Sequence, residues 1–211
     1  MCRVAADPAA TSDDYFGYAA AVSASSAIVG ADGTNSGAGS AYVYVKQLAN
    51  WPNRPTATLS DPTARAGRYT YFGSSVAVSQ GTFVVGAIGT DYGAGAAYVF
   101  EMSSAGWPTR PTASLADPAR TYGDLFGYSV AISDGTAVVG AHGTNTDAGA
   151  AYIYVRAAAD WPATPTATLA DPAATPYDYF GNSVAVISGG VAVVGAPGSN
   201  SSVGAAYIFT S

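Results

Sequence analysis

Beyond its aspartates, this chain of 211 residues carries one histidine, one cysteine and one glutamate: His142, Cys2 and Glu101. Nucleophilic catalysis needs a nucleophile, a base within hydrogen-bond reach and a group that orients the base. Any such set would have to be built around His142 alone. A glycosidase needs two carboxyl groups held roughly 5–9.5 Å apart across a sugar. The adjacent pair Asp13-Asp14 does not supply that, because neighbouring side chains point to opposite faces of an extended segment. A calcium site needs several converging carboxylates, and a thiolate cluster needs several cysteines. No catalytic residue, metal ligand or cofactor is therefore expected.

What remains is recognition by polar and aromatic side chains. Charged residues make up 10% of the chain, well below the roughly 25% of ordinary globular proteins. The formal net charge is −6, and the eight basic residues are scattered, which excludes a nucleic-acid surface, where Lys and Arg must cluster. No apolar run approaches the ~20 residues of a membrane-spanning helix. Met1 to Pro8 lacks the charged-then-apolar layout of a secretory signal. Cys2, the single cysteine, cannot form an intrachain disulfide, and Asn200-Ser201-Ser202 is the one glycosylation sequon.

The elements that must position any site are set by an internal repeat. Phe-Gly recurs at Phe16, Phe72, Phe126 and Phe180, and Val-Gly-Ala follows at Val29, Val85, Val139 and Val194. A Gly-small-Ala-Tyr segment then ends in Tyr42, Tyr98, Tyr152 or Tyr207. Trp-Pro follows at Trp51, Trp107 and Trp161, and Asp-Pro restarts the cycle at Asp7, Asp61, Asp117 and Asp171. A period of about 54–56 residues suits a four-stranded propeller blade. The third copy shows why. Tyr128–Ile132 alternates, Asp134-Gly135 suits a two-residue hairpin turn, and Thr136–Ala141 is a continuous apolar run. Ala150–Arg156 alternates again, and Thr166–Leu169 is a fourth short strand. No segment sustains a 3.6-residue apolar period, so helix content should be near zero.

The expected fold is all-β: one domain spanning 1–211, a β-propeller of four four-stranded blades. The repeats run approximately over 7–60, 61–116, 117–170 and 171–211 plus 1–6. The fourth copy ends after its third strand, and Arg3 to Pro8 lines up with Thr168 to Pro172. Cys2 to Ala6 is therefore expected to pair into the last blade and close the ring, removing an exposed edge. An eight-bladed ring from two chains is the alternative.

The segments Phe126-Gly127-Tyr128-Ser129-Val130-Ala131, Val138-Val139-Gly140-Ala141 and Gly149-Ala150-Ala151-Tyr152 resemble the FG-GAP repeat of integrin α-subunit propellers and many extracellular proteins. The fourth copy carries the signature literally, in Phe180-Gly181 and Gly195-Ala196-Pro197. The resemblance implies a binding or assembly module at the cell surface or outside the cell. Integrin-type blades carry an Asp-rich calcium loop between their first two strands. The matching turns here, such as Ser133-Asp134-Gly135-Thr136, hold at most one carboxylate, so those calcium sites are not carried over.

Strand topology puts the loops from second to third strand and from fourth to first strand on one face. In integrins that face binds ligand, and the resemblance implies the same here. Tyr, Arg, Asp and Asn in such loops can read protein or sugar. The candidate contacts are Arg65, Arg68, Tyr69, Asp91, Tyr92, Arg120, Tyr122 and His142. The second repeat breaks the pattern most, with Thr70 in place of the Asp at positions 14, 124 and 178 and with two Arg beside a Tyr. Those three Asp, and the Asp of each Asp-Pro, are read as turn-formers. His142 is read as a solvated loop residue with a secondary claim as a pH-sensitive contact. The Trp of each Trp-Pro is read as a packing clamp, with a sugar platform as the alternative. The partner is another protein or a glycan, with self-association left open.

Overall fold

The computed structural model describes residues 7–8, 11–48, 50–65, 68–103, 106–108, 110–158 and 160–210. Each repeat folds into its own antiparallel sheet, with the strands in chain order. The first sheet is β1 (Ala19–Val22), β2 (Ser26–Ala31), β3 (Ser40–Val45) and β4 (Ala57–Leu59). The second is β5 (Phe72–Ser79), β6 (Thr82–Ala87), β7 (Ala96–Glu101) and β8 (Ala113–Leu115). The third is β9 (Ser129–Ser133), β10 (Thr136–Ala141), β11 (Ala150–Val155) and β12 (Ala167–Leu169). The fourth has three strands among the described residues: β13 (Ser183–Val186), β14 (Ala192–Ala196) and β15 (Ala205–Phe209). The expected closing strand at Cys2 to Ala6 lies outside the described residues.

Local sequence accounts for these strands. Asp134 and Gly135 join β9 to β10 with φ of 44° and 76°, the positive angles that a tight hairpin matching the strand twist requires. The Val-Gly-Ala strand is central in each sheet, which is why its apolar run is uninterrupted. Val138, Val139 and Ala141 are all fully buried.

The two faces of a sheet carry different side chains, and each junction sets one kind against the other. Ile28, Ala41, Val43 and Leu59 of the first sheet pack on Phe72, Tyr98 and Phe100 of the second. Val84, Ala97, Val99 and Leu115 of the second pack on Phe126, Tyr152 and Tyr154 of the third. Val138 and Ala151 of the third pack on Phe180 and its neighbours in the fourth. Every Phe-Gly phenylalanine sits near the tyrosine of its own third strand, at 5.6, 5.8, 5.5 and 5.5 Å between ring centroids in chain order. Burying one such ring stabilises the fold by about 1.5–3 kcal/mol.

The Phe-Gly turn also crosses the junction through its backbone. Tyr71 and Phe72 donate N–H groups to Gly37 and Ala38 at 2.9 and 3.2 Å. Leu125 and Phe126 repeat this to Gly93 and Ala94, and Tyr179 and Phe180 to Asp147 and Ala148. Ser75 Oγ donates to the Gly127 carbonyl at 2.6 Å, and Ser129 Oγ to the Gly181 carbonyl at 2.7 Å. Contacts of this extent run first to second, second to third and third to fourth sheet; among the described residues the first and fourth sheets share none on that scale.

The helical segments among the described residues are four single turns between the second and third strands: Thr34–Gly37, Thr90–Gly93, Thr144–Asp147 and Ser199–Ser202. Their central pairs are left-handed, with φ between 49° and 60°. A side chain there costs about 1–2 kcal/mol, least for Asn and Asp, which supply the first position of all four pairs: Asn35, Asp91, Asn145 and Asn200. Backbone bonds close the turn, as in Gly39 N–H to the Thr34 carbonyl at 2.9 Å.

The repeated aspartates are structural. Asp14, Asp124 and Asp178 accept the N–H groups of Thr11, Thr121 and Thr175 at 2.9, 2.7 and 3.0 Å. Asp61, Asp117 and Asp171 accept a backbone N–H two residues on and also a tyrosine hydroxyl, from Tyr98, Tyr152 and Tyr207 at 3.0, 2.8 and 2.7 Å. These links tie the start of the second, third and fourth repeats each to its own third strand. The tryptophans pack inward. Trp161 is buried and donates to Glu101 Oε1 at 3.0 Å, beside an Arg156–Glu101 ion pair at 3.2 Å, and Trp107 lies edge-on to Phe83 at 5.0 Å.

Candidate binding site on the loop face

The left-handed turn of each repeat and the loop before each Phe-Gly share one face, and at the three junctions the Phe-Gly backbone bonds tie the turn of one repeat to the loop of the next. The residue before each Phe-Gly phenylalanine, Tyr15, Tyr71, Leu125 or Tyr179, has φ of 51–55°. At the junction of the second and third repeats, Arg68, Tyr69, Tyr71, Ile88, Tyr92, Tyr122 and Leu125 line a cavity of about 430 Å³. The Tyr69 and Tyr71 rings lie 6.1 Å apart, inclined by 24°. The Arg68 guanidinium carbon sits 4.8 Å from the centre of the Tyr92 ring, and its Nη2 donates to the Tyr92 hydroxyl at 3.3 Å. A cation over a tyrosine face at an exposed site contributes about 0.5–1 kcal/mol. It therefore orders the pair without locking it.

Arg68 also borders a second cleft, of about 410 Å³, with Arg65, Thr70 and Asp91. Apolar tyrosine walls thus meet a polar pocket with two guanidinium groups and one carboxylate. Of the eight candidates, four line the aromatic cavity, and Arg65 and Asp91 line its neighbour. Arg120 lies further along, in a small cleft of about 110 Å³ that Asp91 also borders. His142 stands apart.

The His142 ring packs edge-on to Tyr128 at 4.0 Å and to Tyr179 at 5.7 Å, and neither ring nitrogen has a hydrogen-bond partner. The solvated loop histidine expected from sequence is therefore corrected: burial holds its pKa below the ordinary value, with Asp147 pulling weakly the other way. The same positions explain why the aromatic cavity is local. The second repeat has Ile88 and Ser74 where the third has His142 and Tyr128, and the larger pair packs together where the smaller pair leaves room. Tyr71, Ile88 and Leu125 were not singled out as site residues. Tyr71 and Leu125 hold the slot before Phe-Gly, whose left-handed backbone turns their side chains to the loop face, and a repeated slot gives no signal of its own in the sequence.

A family model of the FG-GAP repeat matches residues 60–100, 112–154 and 164–209. The chain belongs to the FG-GAP repeat family. The three FG-GAP matches fall on the second, third and fourth sheets, and the first sheet repeats their pairing register, with Gly30 opposite Ala41 as Gly86 is opposite Ala97. A search of curated proteins found no match for the chain. Among the described residues, no group of three or more His, Cys, Asp and Glu side chains is placed to hold a metal ion. No helix of the described residues is long and apolar enough to cross a membrane.

Proposed function

We propose that the four sheets are propeller blades and that the domain they form is a non-catalytic binding module, working at the cell surface or outside the cell. Its partner is a protein segment that seats an apolar side chain among Tyr69, Tyr71, Tyr92 and Tyr122 and a carboxylate against Arg65 and Arg68. The observation that carries this reading is the tyrosine-walled cavity with Arg68 over Tyr92 at its edge. Tyr and Arg are the types over-represented at interface hot spots. An asymmetric partner also needs a surface that breaks the repeat, and the second repeat breaks it most.

A carbohydrate partner is the second reading, supported by the same flat tyrosine faces. It loses its tryptophan platforms, because Trp161 is buried and Trp107 packs on Phe83.

Partner capture by the wild type, by Arg68→Ala/Tyr92→Ala and by Lys46→Ala/Arg110→Ala is the test. The first pair should weaken binding by more than about 1 kcal/mol, as hot-spot residues do, while the second pair leaves it unchanged. The reverse pattern would move the site to the outer rim. Glycan-array binding that disappears in Arg68→Ala/Tyr92→Ala would favour the carbohydrate reading.

A further inference from the structure

Two faces of the array are left without the neighbour that every other sheet has. On the fourth sheet, Ile208 is 71% exposed and Val193 37% exposed, whereas the matching Val99, Val84 and Val138 are 0% exposed. Ala185, Ser183 and Ala206 on the same face are exposed too. On the first sheet, Val22 is 70% exposed, whereas the matching Ile132 is 8% exposed, packed with Ala77 of the preceding sheet.

The backbone halves of the junction are open as well. A Cβ at Gly30, Gly86 or Gly140 would strike the Phe-Gly glycine of the next sheet, but at Gly195 it would meet only Ser183 of its own sheet, and at Gly17 nothing within 4 Å. Tyr15 and Phe16 N–H groups, and the Ser202 and Val203 carbonyls, make no counterpart of the bonds that cross the other three junctions. Ser183 matches Ser75 and Ser129, whose hydroxyls cross their junctions to a glycine carbonyl.

We infer that these two faces are halves of a fourth kind of junction, made between two copies of the chain. The fourth sheet of each copy receives the first sheet of the other, with Ser183 donating to the partner copy's Gly17 carbonyl. The interface is a continuation of one the molecule already makes three times. Its occupant follows from the geometry of repetition. A ring that closes at four sheets turns by a quarter at each junction and would set β13 against β1 as β9 is set against β13. After three matching junctions no contact on that scale joins β1 and β13 among the described residues, so the turn per junction is smaller and the ring is larger. Two copies supply eight sheets, the upper end of the roughly four to eight blades of closed propellers. The two junctions are head-to-tail and identical, so the ring closes without leaving an end for a filament. This inference rests on the blade reading of the fold and is independent of the tyrosine cavity.

Sedimentation equilibrium at tens of micromolar chain should give twice the 21.0 kDa of one chain. Ile208→Asp and Val22→Asp alter opposite, exposed ends, and each should halve that mass with an unchanged far-ultraviolet dichroism spectrum. If one variant misfolds, the other carries this comparison. An equimolar mixture of the two should recover the dimer, because one wild-type junction remains. A dimer that persists in the folded variants, or a mixture of folded variants that stays monomeric, would overturn the head-to-tail assembly. A monomeric wild type would overturn it as well. Amide exchange at Tyr15 and Phe16 then separates the failures: protection in a monomer means a ring closed on itself, and fast exchange means that the blade reading fails too.

Discussion

Gly30 and Gly73 meet backbone to backbone: a Cβ on Gly30 would overlap the Gly73 carbonyl oxygen, and Gly86 stands in the same relation to Gly127. The second-strand glycine of one sheet is thus a spacer for the Phe-Gly turn of the next. Gly86→Ala should destabilise the fold by at least about 2 kcal/mol, because overpacking against backbone has no flexible side chain to yield. Urea unfolding of the variant checks this, and an unchanged midpoint would show that the sheets can slide apart at no cost.

Tyr98 and Tyr207 hold matching hydroxyl-to-aspartate bonds, but Tyr98 is fully enclosed and Tyr207 only half-buried. Removing a partner from a buried polar group costs about 1–3 kcal/mol. Tyr98→Phe should lose an amount in that range, and Tyr207→Phe clearly less, by denaturant titration. Burial also drives the Tyr98 hydroxyl pKa well above the ordinary tyrosine range. Spectrophotometric titration should therefore show this tyrosine ionising only on unfolding.

His142 gives stability a pH dependence of known sign. Burial disfavours its imidazolium, so the folded-state pKa lies below the ordinary 6.5. Between the two values the unfolded chain binds more protons, and stability rises with pH. The contribution is complete above about pH 6.5 and declines as pH falls toward the folded-state value. Thermal melts of wild type and His142→Phe should diverge in slope below that pH, with the variant flatter. Parallel curves would place the histidine in water.

Calcium should leave the melting temperature where a chelator leaves it. An ion that binds only the native state raises apparent stability by mass action, and the hairpin turn at Asp134-Gly135 brings a single carboxylate. A drop of several degrees in chelator would reveal a site built from other oxygens.

Elements whose signal is local were legible in the sequence. The Val138-Val139 run, the Asp134-Gly135 turn and the alternation of Tyr152 with Tyr154 each identify a strand or hairpin within a few residues. The bonds from Tyr98 to Asp61 and from Tyr152 to Asp117 were hidden because each spans some 35 residues. The left-handed turns were hidden too: Gly-Thr-Asn-Thr reads as a loop, and only the closure of Gly149 N–H on the Thr144 carbonyl at 2.9 Å fixes its hand. The irregular second repeat marks Arg68 and Tyr92 as candidates, but no local signal pairs side chains that lie 24 residues apart. His142 was misread because its packing needs Tyr128 from its own sheet and Tyr179 from the next.

Main-chain bonds close those turns, and the side-chain anchors come from Thr34, Thr90 and Ser199 at their first positions. The side chains at 35–36, 91–92, 145–146 and 200–201 are therefore held out by a frame that does not consult them. Serine at 36 and 201, Tyr92 and Thr146 already bring three different side chains to one backbone geometry. Four paired positions, fixed in direction and spaced by the repeat, form a display array. A combinatorial library confined to them, with Asn, Asp or Gly retained at the first position of each pair, would redraw the recognition surface while the sheets beneath kept their register.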